Sequence, residues 1–435
     1  MLTAKYVRDH LDEIKASLAK RQLQYPIAEL LELDDKYRKL QKQEQDLRTK
    51  RNKGSEEVSK IKKSGKEAGS EKVKELADIR KQVEELEKQR SELEQKIHSI
   101  LWNMPNVLDV SVPYGKDDAG NLEIRKEGKV EKRKMKTHDE ILKELDLLDL
   151  DQAAKVSGAR FYYLKGDLAL LEQALIRFQI DELIKKGYTL ISPPLMIRSE
   201  YYKGVTAMAD FQETLYKVGD SNETKERPDL EKIEDDLYLI ATSEHAIAAF
   251  NADKLYSARE LPKRFVGISP CFRREAGSHG KDTKGIFRVH QFYKVEQFIV
   301  CKENESAGLF DELISNSEDL CRKLKLPYRV VNICTGDIGT VAAKKYDIEG
   351  YMPGQDKYRE LVSCSNCTDW QSLRLDIKYD EAGERKYAHT LNSTAMGSTT
   401  RAIVAIVENY YNEKTGKITV PEVLVPYMNG KKEIG

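Results

Sequence analysis

The spacing of apolar residues predicts a long helical N-terminal part followed by a mixed C-terminal part. Residues 27–100 are rich in Lys, Glu, Gln, Leu and Arg and contain no proline, a composition typical of long helices. In the second half of this segment, seam positions recur in alternating steps of three and four, which predicts a coiled coil. These positions are Leu76, Ile79, Val83, Leu86, Arg90, Leu93, Ile97 and Ile100.

The first half of the segment follows the same steps less regularly. Three of its nine seam positions are charged or glycine, so we expect the pairing to loosen beyond Leu47. Residues 63–70 contain two glycines and two serines, which predicts a chain reversal. We therefore expect an antiparallel hairpin of about 50 Å over roughly 27–103, within an N-terminal domain of 1–104. The seam positions are Leu33, Tyr37, Leu40, Glu44, Leu47, Arg51, Gly54, Val58 and Ile61.

The rest of the chain has the pattern of an α+β domain. Residues 105–156 hold several prolines and glycines and are interpreted as a connector. From 157 to 435, helical stretches such as 166–186 alternate with β-rich runs at 264–268 and 292–300. The second run alternates apolar with polar residues, as antiparallel strands with one buried face do. We expect an antiparallel sheet flanked by helices.

Composition narrows the class of protein. The 435 residues are 40% hydrophobic, and no apolar run approaches the ~18 residues that a membrane-spanning helix needs. The first residues lack the apolar stretch of a signal peptide. The six cysteines are too sparse for a disulfide scaffold, which favours a reducing compartment. We expect a cytoplasmic protein without a membrane segment.

Charge is balanced overall, with 73 basic and 73 acidic residues, but it is concentrated locally. Residues 48–74 hold ten Lys or Arg against four Asp or Glu, whereas residues 80–104 hold five of each. A basic hairpin tip suits a phosphate backbone, although a solvated helical surface explains the charge alone equally well. The candidate nucleic-acid contacts are Arg48, Lys50, Arg51, Lys53, Lys60, Lys62, Lys63, Lys72 and Lys74.

Neither of the two common glycine-rich phosphate loops occurs, so side chains would have to hold any nucleotide phosphates. The string F-R-R-E at 272–275, a polar loop at 276–285 and R-V-H-Q-F at 288–292 resemble motif 2 of the class II aminoacyl-tRNA synthetases, and of seryl-tRNA synthetases in particular. Residues 187–194 resemble motif 1, T-S-E at 242–244 resembles the T-x-E element, and 391–409 resemble motif 3. The helical arm resembles the N-terminal domain of the same family.

The resemblance implies adenylation of serine by ATP and transfer of the seryl group to the terminal adenosine of a serine tRNA, and selenocysteine tRNA is a possible further acceptor. It assigns catalysis to Arg273 and Arg401, because cations can hold the serine carboxylate and the phosphates in line. It implies Mg²⁺ held by Glu360 and Ser363, since this ion prefers oxygen ligands. The implied ATP site comprises Arg273, Arg274, Glu275, Phe292, Glu360, Leu361, Val362, Ser363 and Arg401.

The resemblance also implies a serine pocket. Thr242, Ser243 and Glu244 would bind the ammonium side and Arg273 the carboxylate. The side-chain hydroxyl is assigned to Glu296 and Thr394. Six residues separate Thr394 from Arg401, where the family usually has five, so either a bulge absorbs one residue or Ser393 takes this role.

The pair Cys364 and Cys367 could be half of a zinc site or a redox pair. A second C-x-x-C and a nearby C-x₂₋₄-H are missing, and the string S-C-S-N-C resembles archaeal and eukaryotic family members. Structural cysteines are therefore favoured, and zinc is not expected. His279 in the motif 2 loop is interpreted as a loop or tRNA contact.

Motif 1 implies a homodimer in which one subunit's arm reaches a tRNA serving the other subunit's site. The expected partner of the basic tip is the long variable arm of serine tRNA, and the acceptor end would enter the catalytic site. Two alternatives remain open at this point. One is an adenylating ligase with a non-tRNA acceptor, and the other is a non-catalytic coiled-coil nucleic-acid-binding protein.

Overall fold

A computed structural model describes residues 3–63, 70–207, 214–218, 237–275 and 284–435. The chain forms two compact units, Met1–Pro105 and Asn106–Gly435. Residues 64–69 of the chain reversal expected at 63–70 lie outside the described residues, as does the side chain of Lys62. The same holds for residues 276–283 of the motif 2 loop at 276–285, which include His279. No helix among the described residues is both long enough and apolar enough to cross a membrane.

The helices are α1 (Ala4–Asp9), α2 (Leu11–Lys20), α3 (Ile27–Lys63), α4 (Ser70–Trp102), α5 (His138–Glu144), α6 (Leu150–Ser157), α7 (Gly166–Lys185), α8 (Ser199–Val205), α9 (Ser243–Phe250), α10 (Ser306–Lys323), α11 (Trp370–Leu375) and α12 (Thr399–Tyr410). Short 3₁₀ turns occupy Asp118–Gly120, Ala258–Glu260, Glu303–Glu305, Pro353–Gln355 and Glu422–Met428.

The strands are β1 (Leu122–Glu127), β2 (Leu148–Asp149), β3 (Tyr163–Leu164), β4 (Thr189–Ile191), β5 (Met196–Arg198), β6 (Lys217–Val218), β7 (Leu237–Leu239), β8 (Leu255–Ser257), β9 (Lys263–Phe272), β10 (Gln291–Cys301), β11 (Tyr328–Asn332), β12 (Lys344–Met352), β13 (Lys357–Asn366), β14 (Lys378–Glu381), β15 (Glu384–Tyr387), β16 (His389–Ser398), β17 (Tyr411–Asn412), β18 (Lys417–Thr419) and β19 (Glu433–Ile434).

The first unit is built on the two long helices that the sequence predicts. All seam positions of α3 and α4 are buried or half-buried, whereas most other positions are exposed. Gly54 occurs where the helices approach closely, because a Cβ there would lie 2.7 Å from Leu76 Cδ2. Two of the three charged seam residues pair with each other, since Arg90 Nη1 lies 3.1 Å from Glu44 Oε2.

The second unit is organised around an eight-stranded sheet with the order β1-β11-β12-β13-β16-β10-β9-β4. All its neighbouring strands are antiparallel except β4, which runs parallel to β9. Apolar side chains of α7, α10 and α12 pack with those of the strands in one large core. The predicted antiparallel sheet flanked by helices is therefore confirmed.

The predicted connector spans 105–156, and its residues 106–156 belong to the second compact unit. They contribute β1 to the edge of the main sheet, and the side chain of Asn106 donates to Cys367 O at 2.7 Å. The buried ring of His138 on α5 lies 3.3 Å from Glu408 of α12 through Nδ1. Its Nε2 accepts the backbone N–H of Ile286 at 3.3 Å. The segment thus links α12 to the residues that follow the motif 2 loop.

Candidate active site

One cleft of about 430 Å³ opens on the main sheet of the second unit. Its walls come from the start of α9, the end of β9, strands β10, β13 and β16, the start of α12 and residues 337–342. Eleven of the fourteen predicted serine- and ATP-site residues line it. These are Thr242, Glu244, Arg273, Glu275, Phe292, Glu296, Glu360, Leu361, Ser363, Thr394 and Arg401.

The other three predicted residues do not line the cleft. Ser243 is fully buried below the start of α9, and Val362 is fully buried in the main core. Arg274 has an exposed side chain, and its backbone N–H donates to Thr214 O at 2.8 Å. The structure therefore brings together most of the predicted set but leaves these three side chains outside it.

The beginning of α9 supplies one end of the cleft. Thr242 caps the helix, since its Oγ1 accepts the backbone N–H of Glu244 at 3.3 Å. Burial raises the pKa of the Glu244 carboxyl to about 7, and the nearby charge of Glu296 adds to this shift. Arg273 reaches the same end and donates from Nε to Ala241 O at 3.2 Å. A carboxyl and a guanidinium thus lie where an amino acid could bind by both of its charged groups.

Glu296 and Thr394 lie opposite each other on β10 and β16. Glu296 is 1% exposed, and its burial raises the pKa of its carboxyl. Lys294 Nζ lies 2.7 Å from Glu296 Oε2 and opposes this shift by its positive charge. A buried carboxylate beside a hydroxyl can recognise a substrate hydroxyl by hydrogen bonding.

The extra residue before Arg401 coincides with a change in the pairing of β10 and β16. Lys294 pairs with Ser398, but Glu296 pairs with Thr394, so β16 is irregular between these two pairs. Gly397 within this stretch has a φ of +81°, which glycine adopts at little cost. Ser393 is fully buried away from the cleft, 3.5 Å from Ser317 Oγ, whereas Thr394 lines the cleft. The geometry favours Thr394 over Ser393 as the cleft hydroxyl.

Arg401 and Glu360 form another part of the cleft wall. Arg401 Nη1 lies 3.1 Å from Glu360 Oε1 and also donates to Glu360 O at 3.1 Å. The charge of Arg401 lowers the pKa of the Glu360 carboxyl to about 2. The Arg401 guanidinium also stacks over Phe287, 4.9 Å from the ring centroid. This part therefore carries a fixed cation beside an ionised carboxylate.

A bulge in β13 explains why Glu360 and Ser363 both reach the cleft although they are three residues apart. Ile348 pairs with Val362 and Glu349 with Glu360, so Leu361 is an extra residue on β13. The bulge shifts the alternation of side chains by one position, so that Ser363 joins Glu360 at the cleft. Glu360 keeps 46% of its side chain exposed, and Ser363 lies opposite the buried Asp347.

The expected adenine-binding residues, Glu275 and Phe292, both line the cleft. Phe292 is 7% exposed, and the Arg273 guanidinium lies 5.2 Å from its ring centroid. Glu275 has a φ of +49° and forms an ion pair with Arg288 at 3.3 Å. A flat aromatic face and a carboxylate acceptor together fit an amino-substituted heterocycle.

Several residues of the cleft were missed from the sequence. Lys294 could have been found, because the alternation along β10 puts it on the same face as Phe292 and Glu296. Asp337, Lys345 and Asn392 also line the cleft, but no local pattern distinguishes them.

All six cysteines are buried and free. Cys367 lines the cleft, and its Sγ lies 3.5 Å from Asn392 Nδ2. Within the described ranges, no group of three or more His, Cys, Asp or Glu side chains could hold a metal ion.

On the helical arm, some of the nominated cations already have acidic partners. Arg48 contacts Glu44 at 2.8 Å and also Glu87, and Lys72 contacts Glu57. Among the described residues, no ion pair involves Lys50, Arg51, Lys53, Lys60, Lys63 or Lys74.

Comparison with known proteins identifies the family of both units. The family model "Seryl-tRNA synthetase N-terminal domain" matches residues 1–108. The model "tRNA synthetase class II core domain (G, H, P, S and T)" matches residues 224–410. The chain is 46% identical to a serine–tRNA ligase of Methanocella arvoryzae, and the match covers 99% of each protein. It is 45% identical to a serine–tRNA ligase of Thermococcus sibiricus, covering 100% of this chain and 97% of that protein.

Comparison with solved structures indicates the same family. A crystal structure of seryl-tRNA synthetase from Pyrococcus horikoshii complexed with ATP matches with a TM-score of 0.91 and 44% identity, covering 100% of this chain and 99% of the other. A cytoplasmic serine–tRNA ligase from Naegleria fowleri in complex with AMP matches with a TM-score of 0.85 and 35% identity, covering 97% of this chain and 95% of the other. The resemblance found in the motifs is confirmed, and the chain belongs to the seryl-tRNA synthetase family of class II aminoacyl-tRNA synthetases.

Proposed function

We propose that the protein is a serine–tRNA ligase. It joins L-serine and ATP to form seryl-adenylate and pyrophosphate, and then transfers the seryl group to the 3′-terminal adenosine of a serine tRNA. The observation that carries the proposal is that Arg273 and Arg401 line the same cleft as the buried pair of Glu296 and Thr394. Membership of the family and the ligase relatives support it over the full chain.

Arg273 is the proposed link between the two reactants. The serine carboxylate and the α-phosphate are both anions, and a guanidinium that donates to both brings them together at reduced charge repulsion. The hydrogen bond from Arg273 Nε to Ala241 O fixes one edge of this guanidinium. A serine carboxylate oxygen then attacks the α-phosphorus, and the bond to pyrophosphate breaks. No protein nucleophile is needed, because catalysis consists of positioning and charge stabilisation.

Glu275 and Phe292 are the proposed adenine contacts, and Arg401 is the proposed γ-phosphate contact. The ring of Phe292 would stack on the base, while Glu275 would accept a hydrogen bond from its amino group. Arg401 is held by Phe287 and Glu360, so its position does not depend on ATP. Arg274, Leu361 and Val362 belong to the same proposed ATP set. Ser243 and Val362 would contribute through their backbone, since their side chains are buried.

Glu360 and Ser363 fit a magnesium ion on the phosphates. Glu360 is ionised at neutral pH, because Arg401 lowers the pKa of its carboxyl, and nearly half of the side chain is exposed in the cleft. Ser363 adds a neutral oxygen donor on the same side of the sheet. When bound, Mg²⁺ would neutralise phosphate charge and orient the triphosphate.

Selection of serine is assigned to Glu296 and Thr394. Both side chains are buried, so an amino acid without a hydroxyl would leave them unpaired at a cost in binding free energy. This type of site can discriminate by as much as about 10⁴-fold against alanine or glycine. Thr242 and Glu244 would bind the ammonium group at the other side of the substrate.

The helical arm is the proposed contact for the long variable arm of the tRNA. Its outer part carries lysines without ion pairs among the described residues, including Lys53, Lys60 and Lys74, which suits contact with phosphates.

A homodimer is proposed because exposed apolar side chains cluster in and beside motif 1, where Ile184, Leu190, Leu195 and Met196 are each 38–44% exposed. Since ATP, serine and tRNA meet in protein synthesis, we place the enzyme in the cytoplasm.

ATP–pyrophosphate exchange tests the proposal. The purified protein is assayed with each standard amino acid in the absence of tRNA, with Arg273→Ala as the control. Exchange with serine alone, lost in the variant, is expected. Exchange with a different amino acid would overturn the assignment of Glu296 and Thr394. Charging of serine tRNA, and of selenocysteine tRNA in parallel, then identifies the acceptor and separates a tRNA ligase from a ligase with another acceptor.

A further inference from the structure

The carboxylate of Glu244 is held asymmetrically. Both hydrogen bonds that its side chain accepts from described residues end on the same oxygen, Oε1. One comes from Gln371 Nε2 of α11 at 3.1 Å, and the other from Asn392 Nδ2 of β16 at 3.0 Å. Glu244 itself lines the cleft at the start of α9. Side chains of α11 and β16 therefore donate to the same carboxylate oxygen of a residue on α9.

The orientation of the Gln371 amide is fixed by its other neighbours. Gln371 is 0% exposed, and its Nε2 also donates to Val205 O at 3.1 Å. On the other side, its Oε1 accepts from Thr390 Oγ1 at 2.7 Å. Since both neighbours of the nitrogen are acceptors only, an inverted amide would place oxygen against oxygen. The donor is thus held toward Glu244 before any substrate arrives.

Asn392 provides the second hydrogen bond to Oε1 of Glu244. It is 6% exposed and pairs in the sheet with Phe298 and Ser365. Its Nδ2 lies between Glu244 Oε1 and Cys367 Sγ, at 3.0 and 3.5 Å. Asn392 also lines the cleft. The two amides saturate Oε1 and restrain the rotation of the carboxylate.

We propose that Gln371 and Asn392 are positioning residues that hold Oε1 of Glu244 and thereby reserve Oε2 for the ammonium group of the amino-acid substrate. The inference rests on the proposed function, because it takes serine as the ligand and Glu244 as its ammonium contact. Neither amide needs to touch the substrate. The two amides strengthen binding of the substrate ammonium group, because they hold the Glu244 carboxylate in the orientation in which Oε2 can accept from it.

The two amides also favour the ionised form of Glu244. Hydrogen bonds donated to a carboxylate lower its pKa and so oppose the effect of burial. Of the charged groups around it, Glu296 on β10 raises the pKa of Glu244, whereas Lys294 on β10 and Arg273 after β9 lower it. The thiol of Cys367, after β13, also lies near Glu244 and is neutral, since burial raises its pKa well above the ordinary value. His245, the next residue, is neutral as well, because burial lowers its pKa to about 3. Loss of either amide would therefore shift serine binding to higher pH.

The test uses two substitutions that delete the amide at nearly constant volume, Gln371→Met and Asn392→Leu. Serine-dependent ATP–pyrophosphate exchange is measured with the full-length protein. We expect the KM for serine to rise about tenfold or more in each variant, since each loses a hydrogen bond to a charged group. The KM for ATP should stay within about twofold, and the pH at which kcat/KM for serine reaches half its maximum should move upward.

Two controls separate positioning from a general structural effect. Gln179→Met replaces another fully buried glutamine, whose Nε2 donates to Leu175 O within α7, and should leave the KM for serine unchanged. 3-Hydroxypropanoate has a hydrogen in place of the ammonium group of serine. Its inhibition constant should be the same in the parent protein and in both variants, because it offers Glu244 neither a charge nor a hydrogen-bond donor at that position.

The outcomes are distinct. Equal increases in the KM values for serine and ATP, an unchanged KM for serine, or weaker inhibition by 3-hydroxypropanoate would each overturn the positioning role. If a variant fails to fold, as judged by thermal melting, Gln371→Glu provides an isosteric replacement that puts a second carboxyl against Glu244. It should raise the KM for serine and the pH midpoint further. Failure of the unaltered protein to exchange with serine would instead reject the proposed function, and the serine-based inference with it.

Discussion

Glu296 and Thr394 face each other across β10 and β16 at the wall of the cleft, immediately beside the irregular stretch of β16. Ser393, one residue away, is turned to the opposite face and lies near Ser317. In a strand, a shift by one residue reverses the face that a side chain occupies. The register of β16 therefore determines which hydroxyl can meet a substrate.

The first prediction concerns the hydroxyls of Thr394 and Ser393. Thr394→Val removes the cleft hydroxyl and keeps the side-chain shape. It should raise the KM for serine about fivefold to tenfold, which corresponds to the loss of one ordinary hydrogen bond. Ser393→Ala is the matched control and should leave this KM unchanged. A larger effect of Ser393→Ala than of Thr394→Val in pyrophosphate exchange would reverse the assignment.

The second prediction concerns Arg401. Arg401→Ala should lower kcat for pyrophosphate exchange by about 10²-fold to 10³-fold, because a fixed cation on the phosphate side is lost. The same change should raise the pKa of Glu360 toward its ordinary value, since Arg401 is the main cause of its low pKa. Arg385→Ala, on an exposed position of β15, should have no effect on kcat. A decrease of similar size in both variants would argue against a specific role.

The third prediction is a dependence of stability on pH. The pKa of Glu244 in the folded protein is about 7, above its ordinary value of 4.5, so the folded state binds this proton more tightly than the unfolded state. Its contribution to stability is therefore fully present below about pH 4.5 and is lost as the pH rises through 7. Glu244→Gln should be more stable than the parent at pH 8, by at most about 3 kcal/mol, and the difference should vanish near pH 4.5. Urea unfolding at both pH values measures this, and a difference that grows toward low pH would contradict it.

The fourth prediction concerns the arm. Replacing Lys53, Lys60 and Lys74 together by Gln should raise the KM for tRNA and reduce the dependence of log affinity on log salt by about one unit per lost phosphate contact. The KM values for serine and ATP should not change. The control replaces Lys81, Lys88 and Lys96, which are equally exposed on α4. Equal weakening of tRNA binding by both sets would show that the charge acts without regard to position.

The fifth prediction concerns stability around Glu408, which is 0% exposed. Its oxygens accept from Gly354 N–H at 2.9 Å and Gln355 Nε2 at 3.3 Å, in addition to the contact with His138. Glu408→Ala leaves buried donors without an acceptor and should lower the free energy of unfolding by about 2–4 kcal/mol. Glu413→Ala, which changes an exposed residue, should stay within about 0.5 kcal/mol. Equal unfolding midpoints for the two variants would refute the role of this buried network.

Much of the fold follows from periodic patterns in the sequence. Steps of three and four gave the seam of α3 and α4, and the alternation at 292–300 gave β10, which spans Gln291–Cys301. These patterns are local, because each depends on which face of one helix or strand is buried. The family motifs then located most of the cleft residues.

The rest depends on contacts between distant segments. Gln371 and Asn392 meet Glu244 only because α11, β16 and α9 come together in the folded chain. The bulge at Leu361 that brings Ser363 beside Glu360 is set by pairing with β12, which no local pattern encodes. The buried position of His138 could not be foreseen either, since its partner Glu408 lies 270 residues further along the chain.

The ion pair of Glu44 and Arg90 fixes the register between the two helices of the arm. Sliding one helix past the other by a heptad, about 10 Å, would separate Glu44 from Arg90 and leave both of these seam charges without each other as partner. That cost in free energy discourages slippage, so the distance along the arm from the ion pair to the basic outer part stays constant. The same pair that interrupts the apolar seam therefore fixes the spacing between its own position and the lysines of the outer part, which are the proposed contacts of the tRNA.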